Sequence, residues 1–157
     1  MSLPLKDEYG QFRGQLEYRP GQDPKYIYLL KQSERPAIYN AEILKDAFFG
    51  KPVIITEAPI DTLSVEKLGF LSISVLSARL NENHLKIISR YTDKMILFFD
   101  NDEAGQMAAK KALEKFGDRY GIYNFIMKGE KDANGALQAG LDESLRSQLQ
   151  SFLEKIC

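Results

Sequence analysis

A chain of 157 residues with 44% hydrophobic side chains can build one domain with a real core, or a domain plus a small appendage. Its formal net charge of -1 excludes the global basic field that non-specific attraction to nucleic acid relies on. The single cysteine, Cys157, excludes an internal disulfide framework or a cysteine-rich zinc module within this sequence and fits a reducing, cytoplasmic setting. No apolar run approaches the roughly 20 residues that span a bilayer, so no membrane partner is expected.

Residues 1–50 read as a β-rich appendage with a connecting helix. Met1-Ser2-Leu3, before Pro4, is a candidate leader. PLKDEYGQFRGQLEYRPG carries turn residues at Asp7, Gly10, Gly14, Pro20 and Gly21 around weakly alternating segments, and PKYIYLL is rich in strand-forming side chains. AEILKDAFFG places Ile43, Leu44, Ala47 and Phe48 on one helical face, closed by Gly50. From Lys51 a β-α alternation begins. PVIIT reads as a strand buried on both faces, and IDTLSVEKLGF as a helix with Asp61 near its start and Gly69 as its stop. LSISVLS is a second strand, ENHLKIISRY a helix with Leu85, Ile88 and Tyr91 on one side, and KMILFF a third strand. EAGQMAAKKALEKFG is a helix of strong formers ended by Gly117. GIYNFIM is a fourth strand, KGEKDANG a loop, and DESLRSQLQSFLEKI a terminal amphipathic helix opened by Asp142. Strands separated by helices of this length imply an α/β fold, a parallel sheet of about four strands flanked by helices. The division expected is 1–50 for the appendage, 51–140 for the sheet domain and 141–157 for the last helix.

Parallel α/β sheets bind ligands at the carboxyl ends of their strands, where loops and helix N-termini collect. Three acidic features fall there: Glu57 after VIIT, Asp100 and Asp102 after MILFF, and Asp132 after YNFIM. Each has a bland reading, as a helix cap or turn residue. Together they would concentrate negative charge that only a cation offsets, and carboxylate oxygens without histidine or cysteine beside them suit Mg²⁺ or Mn²⁺. In an extended Asp100-Asn101-Asp102, the two carboxylates share a side and Asn101 points away. Gly105, inside an Ala-rich helix, costs roughly 1 kcal/mol relative to alanine, which points to a close approach by a neighbouring strand or a phosphate; Ala104 is similarly small. His84 reads as a solvent-facing structural residue and Lys110-Lys111 as a solvated face. Tyr120, Tyr123 and Phe125 could stack bases, but read better as packing residues.

ITEAPIDTLS, LFFDNDEAG and KGEKDANGAL, in that order, resemble the TOPRIM domain shared by bacterial-type primases, topoisomerases, recombination proteins and one class of nucleases. The primase branch is most similar, because Asp7, Gly10, Gly14, Arg19, Pro24-Lys25-Tyr26 and Tyr39-Asn40 match the segment that precedes TOPRIM in primases. The EAPIDTLS and KDANGAL forms are similar to primase-like domains of plasmids and phages, which suggests a mobile element. The resemblance implies a Rossmann-like TOPRIM sheet and Mg²⁺-dependent primer synthesis on single-stranded DNA from nucleoside triphosphates during replication, with a replicative helicase as a partner. It implies Glu57 as general acid/base or metal carboxylate, Asp100 and Asp102 as principal ligands, and Asp132 as a supporting one. Arg19, Lys25 and Lys131 become candidate phosphate or template contacts, against the reading of each as a solvated cation. Ala58 departs from the glycine usual after the motif glutamate, and the zinc module and most of the amino-terminal polymerase subdomain are absent, so the chain reads as a catalytic-core fragment. Three alternatives stay open at this point: a non-catalytic DNA-binding or assembly module, a DNA-cleaving TOPRIM domain of nuclease or topoisomerase type, and a HAD-like phosphohydrolase. The last would want Thr or Val where Ala104 stands.

Overall fold

The computed structural model describes residues 1–30, 37–47, 50–76 and 79–157, and at Leu30 the backbone alone. Two sheets organise these residues. An antiparallel sheet joins β1 (Ser2–Lys6), β2 (Phe12–Tyr18) and β3 (Tyr26–Leu30) in that order. A fully parallel sheet joins β4 (Val53–Thr56), β5 (Ser72–Ser74), β6 (Met95–Leu97) and β7 (Ile122–Asn124) in the order β5-β4-β6-β7. Among the described residues, five α-helices accompany it: α1 (Pro59–Lys67), α2 (Glu82–Ile88), α3 (Glu103–Phe116), α4 (Ala133–Gln138) and α5 (Asp142–Ile156).

The period-2 alternation of buried strands separates two cores. Val53, Ile55, Met95, Leu97 and Phe99 face a layer containing Leu44, Leu85, Ile88, Ala109 and Phe116. Their neighbours Ile54, Ile96 and Phe98 face Val65, Ala133, Ala136, Leu145 and Leu149. The helices therefore cover both sheet faces, with α2 and α3 on one and α1, α4 and α5 on the other. In α3 the buried residues Gly105, Ala109, Ala112 and Phe116 recur at helical spacing, which gives it one narrow, small-residue face for the sheet. Phe125 sits edge-on to Phe98 and Phe152, and Tyr120 packs against the other core, in agreement with their reading as packing residues.

Several expectations are corrected. Gly14 is not a turn residue; it lies within β2, opposite Leu5, where a register shift between Leu5 and Lys6 bulges the ladder. Ser2 and Leu3 lie in β1, and Leu3 is buried with Leu5, Leu16 and Tyr39. The connecting helix is a 3₁₀ helix over Ala41–Ala47, because its buried residues Ala41, Leu44 and Ala47 repeat every three positions, the period that a 3₁₀ turn brings onto one face. Phe48, expected on the face of the connecting helix, and Ser77, expected in the second strand, lie outside the described residues. Helix α2 ends at Ile88, short of Tyr91. Residues Ala133–Gln138, whose first three were read as loop, form α4; Asn134 and Gly135 are poor helix formers, but Asp132 caps the first turn and Ala133 and Ala136 are buried against α1 and its surroundings.

His84 is buried rather than solvent-facing. Asn81 Oδ1 accepts the backbone N–H groups of Asn83 and His84 at 3.0 and 3.1 Å, and His84 Nδ1 accepts the Asn81 N–H at 3.2 Å, a reciprocal cap in which histidine takes the place usually held by Glu or Gln. Burial pushes the imidazole below the usual histidine range. An unfolded chain therefore binds a proton that the native chain refuses, and the cap's contribution is present above about pH 6.5 and lost as pH falls below it. His84→Gln retains the acceptor without the titration. Urea midpoints measured from pH 7.5 to 5.0 should fall more steeply for the wild type than for this variant; parallel curves would contradict the assignment.

Candidate metal and nucleotide site

Strands β4 and β6 are neighbours, yet α1 carries the chain from β4 to β5 on one side, while α3 carries it from β6 to β7 on the other. Such a switch point opens a crevice outside the carboxyl ends of the two strands. Glu57 leaves β4 into this crevice, and Asp100 follows the buried Phe98-Phe99 pair beyond β6.

Glu57 Oε1 accepts the backbone N–H of Asp100 at 3.2 Å. Its carboxyl is half-buried, and burial together with the Asp100 charge raises it above the ordinary glutamate range. Asp102 is the N-cap of α3: its Oδ1 accepts the Gly105 N–H at 2.8 Å. The Lys131 ammonium stands 3.0 Å from Oδ2 of Asp100 and 3.0 Å from Oδ2 of Asp102. The Gly105 amide and Lys131 hold the Asp102 carboxyl below its usual range, and the two aspartates raise Lys131 above its own. Asn101 points away as expected, its Nδ2 donating to Met127 O at 3.1 Å and its backbone N–H to Lys131 O at 2.7 Å.

Asp132 caps α4 through Gly135 N–H at 2.7 Å and borders a cleft of about 300 Å³ that Glu57, Asp100, Lys25 and Lys131 also line. One further acid in that cleft was not singled out by sequence reasoning. Asp61, 6% exposed, accepts the Asn134 N–H at 3.0 Å and is pushed up to about 7, chiefly by burial, against that hydrogen bond and with the help of the Asp132 and Asp100 charges. The signal lay in EAPID: Pro59 opens α1, so an acid four residues after Glu57 falls in the first helical turn, on the same edge. Tyr26 also lines the cleft from the appendage, and burial raises its hydroxyl.

Of the predicted cations, Lys25 and Lys131 reach the cleft. Arg19 does not: its Nη2 donates to Pro24 O at 2.9 Å across the β2–β3 turn. The appendage is joined to the parallel sheet by Tyr39 and Asn40, since Tyr39 bridges to Ser74 and Asn40 Nδ2 donates to Ser72 O at 3.0 Å. Ala58, the departure from the motif glycine, has φ -120° and ψ 148°, an extended conformation open to any residue, so the substitution carries no backbone strain.

Among the described residues, no three His, Cys, Asp or Glu side chains converge as a ready-made metal cage. What the residues offer is a pair of carboxylate oxygens already arranged about one positive charge, with the lysine ammonium as the stand-in ion. Two hard oxygen ligands suit Mg²⁺ or Mn²⁺, because Mg²⁺ keeps several waters and commonly takes one or two carboxylates plus substrate phosphates.

Residues 54–137 match the family model described as Toprim-like. The chain belongs to the Toprim-like family. This TOPRIM domain is close to those of bacterial DNA primases: the chain is 44% identical over 63 residues to the DNA primase of Campylobacter jejuni, covering 40% of this chain and 10% of that protein. It is 32% identical over 161 residues to the DNA primase of Thermotoga maritima, covering 95% and 28% respectively. The zinc-binding and RNA polymerase domains of the Aquifex aeolicus primase superimpose with a TM-score of 0.78 at 23% identity, over 96% of this chain and 39% of that one, which shows a shared fold. The TOPRIM chain thus spans less than a third of the curated relatives it matches, so the family covers the sheet and its acids but not whatever else those proteins contain.

A Cβ added to Gly105 would press into the Asp100 carbonyl oxygen and lie 2.9 Å from Glu57 Oε1. Gly105→Ala should therefore destabilise the fold by about 1–3 kcal/mol, outweighing the gain of roughly 1 kcal/mol in helix propensity; a denaturant midpoint at or above wild type would refute the close approach. Asp61→Asn retains an acceptor for Asn134 N–H and removes a buried charge. Because the folded-state carboxyl is raised to about 7, wild type loses stability as pH rises from the unfolded-state value through that point, and the advantage of Asp61→Asn should grow between pH 5 and pH 8. Thermal midpoints across that range measure it.

Proposed function

We propose that this TOPRIM chain is the metal-binding part of a primase-type nucleotidyl-transfer site, making RNA primers on single-stranded DNA from nucleoside triphosphates during replication, in the cytoplasm and alongside a replicative helicase. The observation that carries this reading is the pairing of Asp100 and Asp102 around one cation position, beside Glu57, at the switch point of the sheet. The family match and the primase relatives support it.

Asp100 and Asp102 would hold the divalent cation, with Asp132 in support. Bound there, the cation supplies charge neutralisation for the triphosphate and for the attacking and leaving oxygens. Glu57, whose carboxyl favours its proton more than an ordinary glutamate, would take the proton of the attacking hydroxyl. Lys25 lines the same cleft from the appendage and reads as a phosphate contact. Asp61, buried and joined to the first turn of α4, positions that turn rather than meeting substrate.

Primer synthesis by the full-length protein carrying this segment, on a single-stranded template with Mg²⁺, tests the proposal. Asp100→Asn and Glu57→Gln should each lower synthesis by at least about 100-fold while DNA binding is retained. Synthesis at the wild-type rate in either variant would remove that residue from the chemistry; strand cleavage in place of synthesis would assign the same carboxylates to a nuclease.

A further inference from the structure

We propose that Lys131 is a built-in place-holder for the divalent cation: its ammonium occupies the position between Asp100 and Asp102, the ion displaces it, and the displaced lysine then meets the triphosphate. The inference rests on the metal-dependent reading above. Lys131 Nζ stands at 3.0 Å from one oxygen of each aspartate, and an ion bridging the two carboxylates at the same place would use those oxygens. On Asp102 there is little choice, since its other oxygen is engaged by the Gly105 N–H at 2.8 Å. Ammonium and metal cannot share those two oxygens, so binding is an exchange of one cation for another.

The geometry favours a swing of the side chain over a rearrangement of the loop. The Lys131 carbonyl accepts the Asn101 N–H at 2.7 Å, and the next residue, Asp132, caps α4, so the backbone is fastened on both sides. The side chain is 57% exposed and its four-carbon stem is flexible. A lysine anchored in this way and released from the aspartates stays at the edge of the cleft that it already lines with Lys25. The consequence is coupling: the ion that arrives also frees the charge that binds the phosphates, so metal and nucleotide favour one another's binding.

Mn²⁺ alone, titrated calorimetrically into the full chain at fixed ionic strength, tests the exchange. Lys131→Met retains most of the stem and should bind Mn²⁺ about three- to tenfold tighter than wild type, the range expected for removing two solvent-exposed ion pairs from the competition. Equal or weaker Mn²⁺ binding by the variant overturns the place-holder while leaving the metal site intact, because wild type still binds. No Mn²⁺ binding by either protein at millimolar concentration overturns both. A second readout uses the wild type only: acetylation of lysines by a soluble reagent, followed by peptide mass spectrometry, with exposed Lys128 as the internal reference. Mn²⁺ should speed labelling of Lys131 several-fold relative to Lys128, and an unchanged ratio overturns the exchange.

Discussion

The absence of a side chain at Gly105 lets α3 begin directly beneath the Asp100 carbonyl, with the Glu57 carboxylate alongside. The arrangement of acids depends on that clearance. Asp100 can leave the sheet, Asp102 can cap the helix two residues on, and Glu57 can reach across from β4 to the Asp100 amide, only because the first turn of α3 comes so close. Gln106 reinforces the turn by donating from Nε2 to the Asp100 carbonyl at 3.2 Å, and is itself held by Asn124 from the end of β7. Three adjacent strands thereby contribute to one short connection. The helix loses intrinsic propensity at glycine, and the fold recovers it in a turn that could not otherwise form.

Electrostatics explain why the edge is built around a lysine. Burial raises Glu57 and Asp61, Asp61 to about 7, and their acidic neighbours raise them further, so the charged forms of these two acids are disfavoured at this edge. The charge on Asp102 is instead favoured, by a backbone amide and by Lys131. Two kinds of carboxyl therefore stand apart at this edge: Glu57 and Asp61, raised above their ordinary ranges, lie toward α1, and Asp102, held below its own, opens α3.

The parallel sheet was legible in the sequence because four short apolar runs alternate with helical periods, and burial on both faces leaves little else for VIIT or MILFF to be. The Glu57 and Asp100-Asn101-Asp102 positions were legible for the same reason, as the first polar residues after those runs. Ala133–Gln138 was not, since Asn134 and Gly135 signal a turn, and only the cap from Asp132 and the contact with α1 outweigh them. His84 was misplaced because a lone histidine beside a lysine reads as surface; its role depends on the Asn81 cap three residues earlier. Asp61 looked like an ordinary helix-start acid until Asn134, 73 residues away, was found bonded to it. The Lys131 bridge depends on tertiary contact between two loops that no local pattern announces.

Both Asp102 and Asp132 are N-caps, and each gives one oxygen to a backbone amide of its own helix. A carboxylate so engaged keeps one oxygen clear of its helix's amides, and its rotamer is fixed by the cap. If the proposed ion is held by these carboxylates, it would sit in register with the ends of α3 and α4, and a change in the spacing of those helices would alter its coordination geometry.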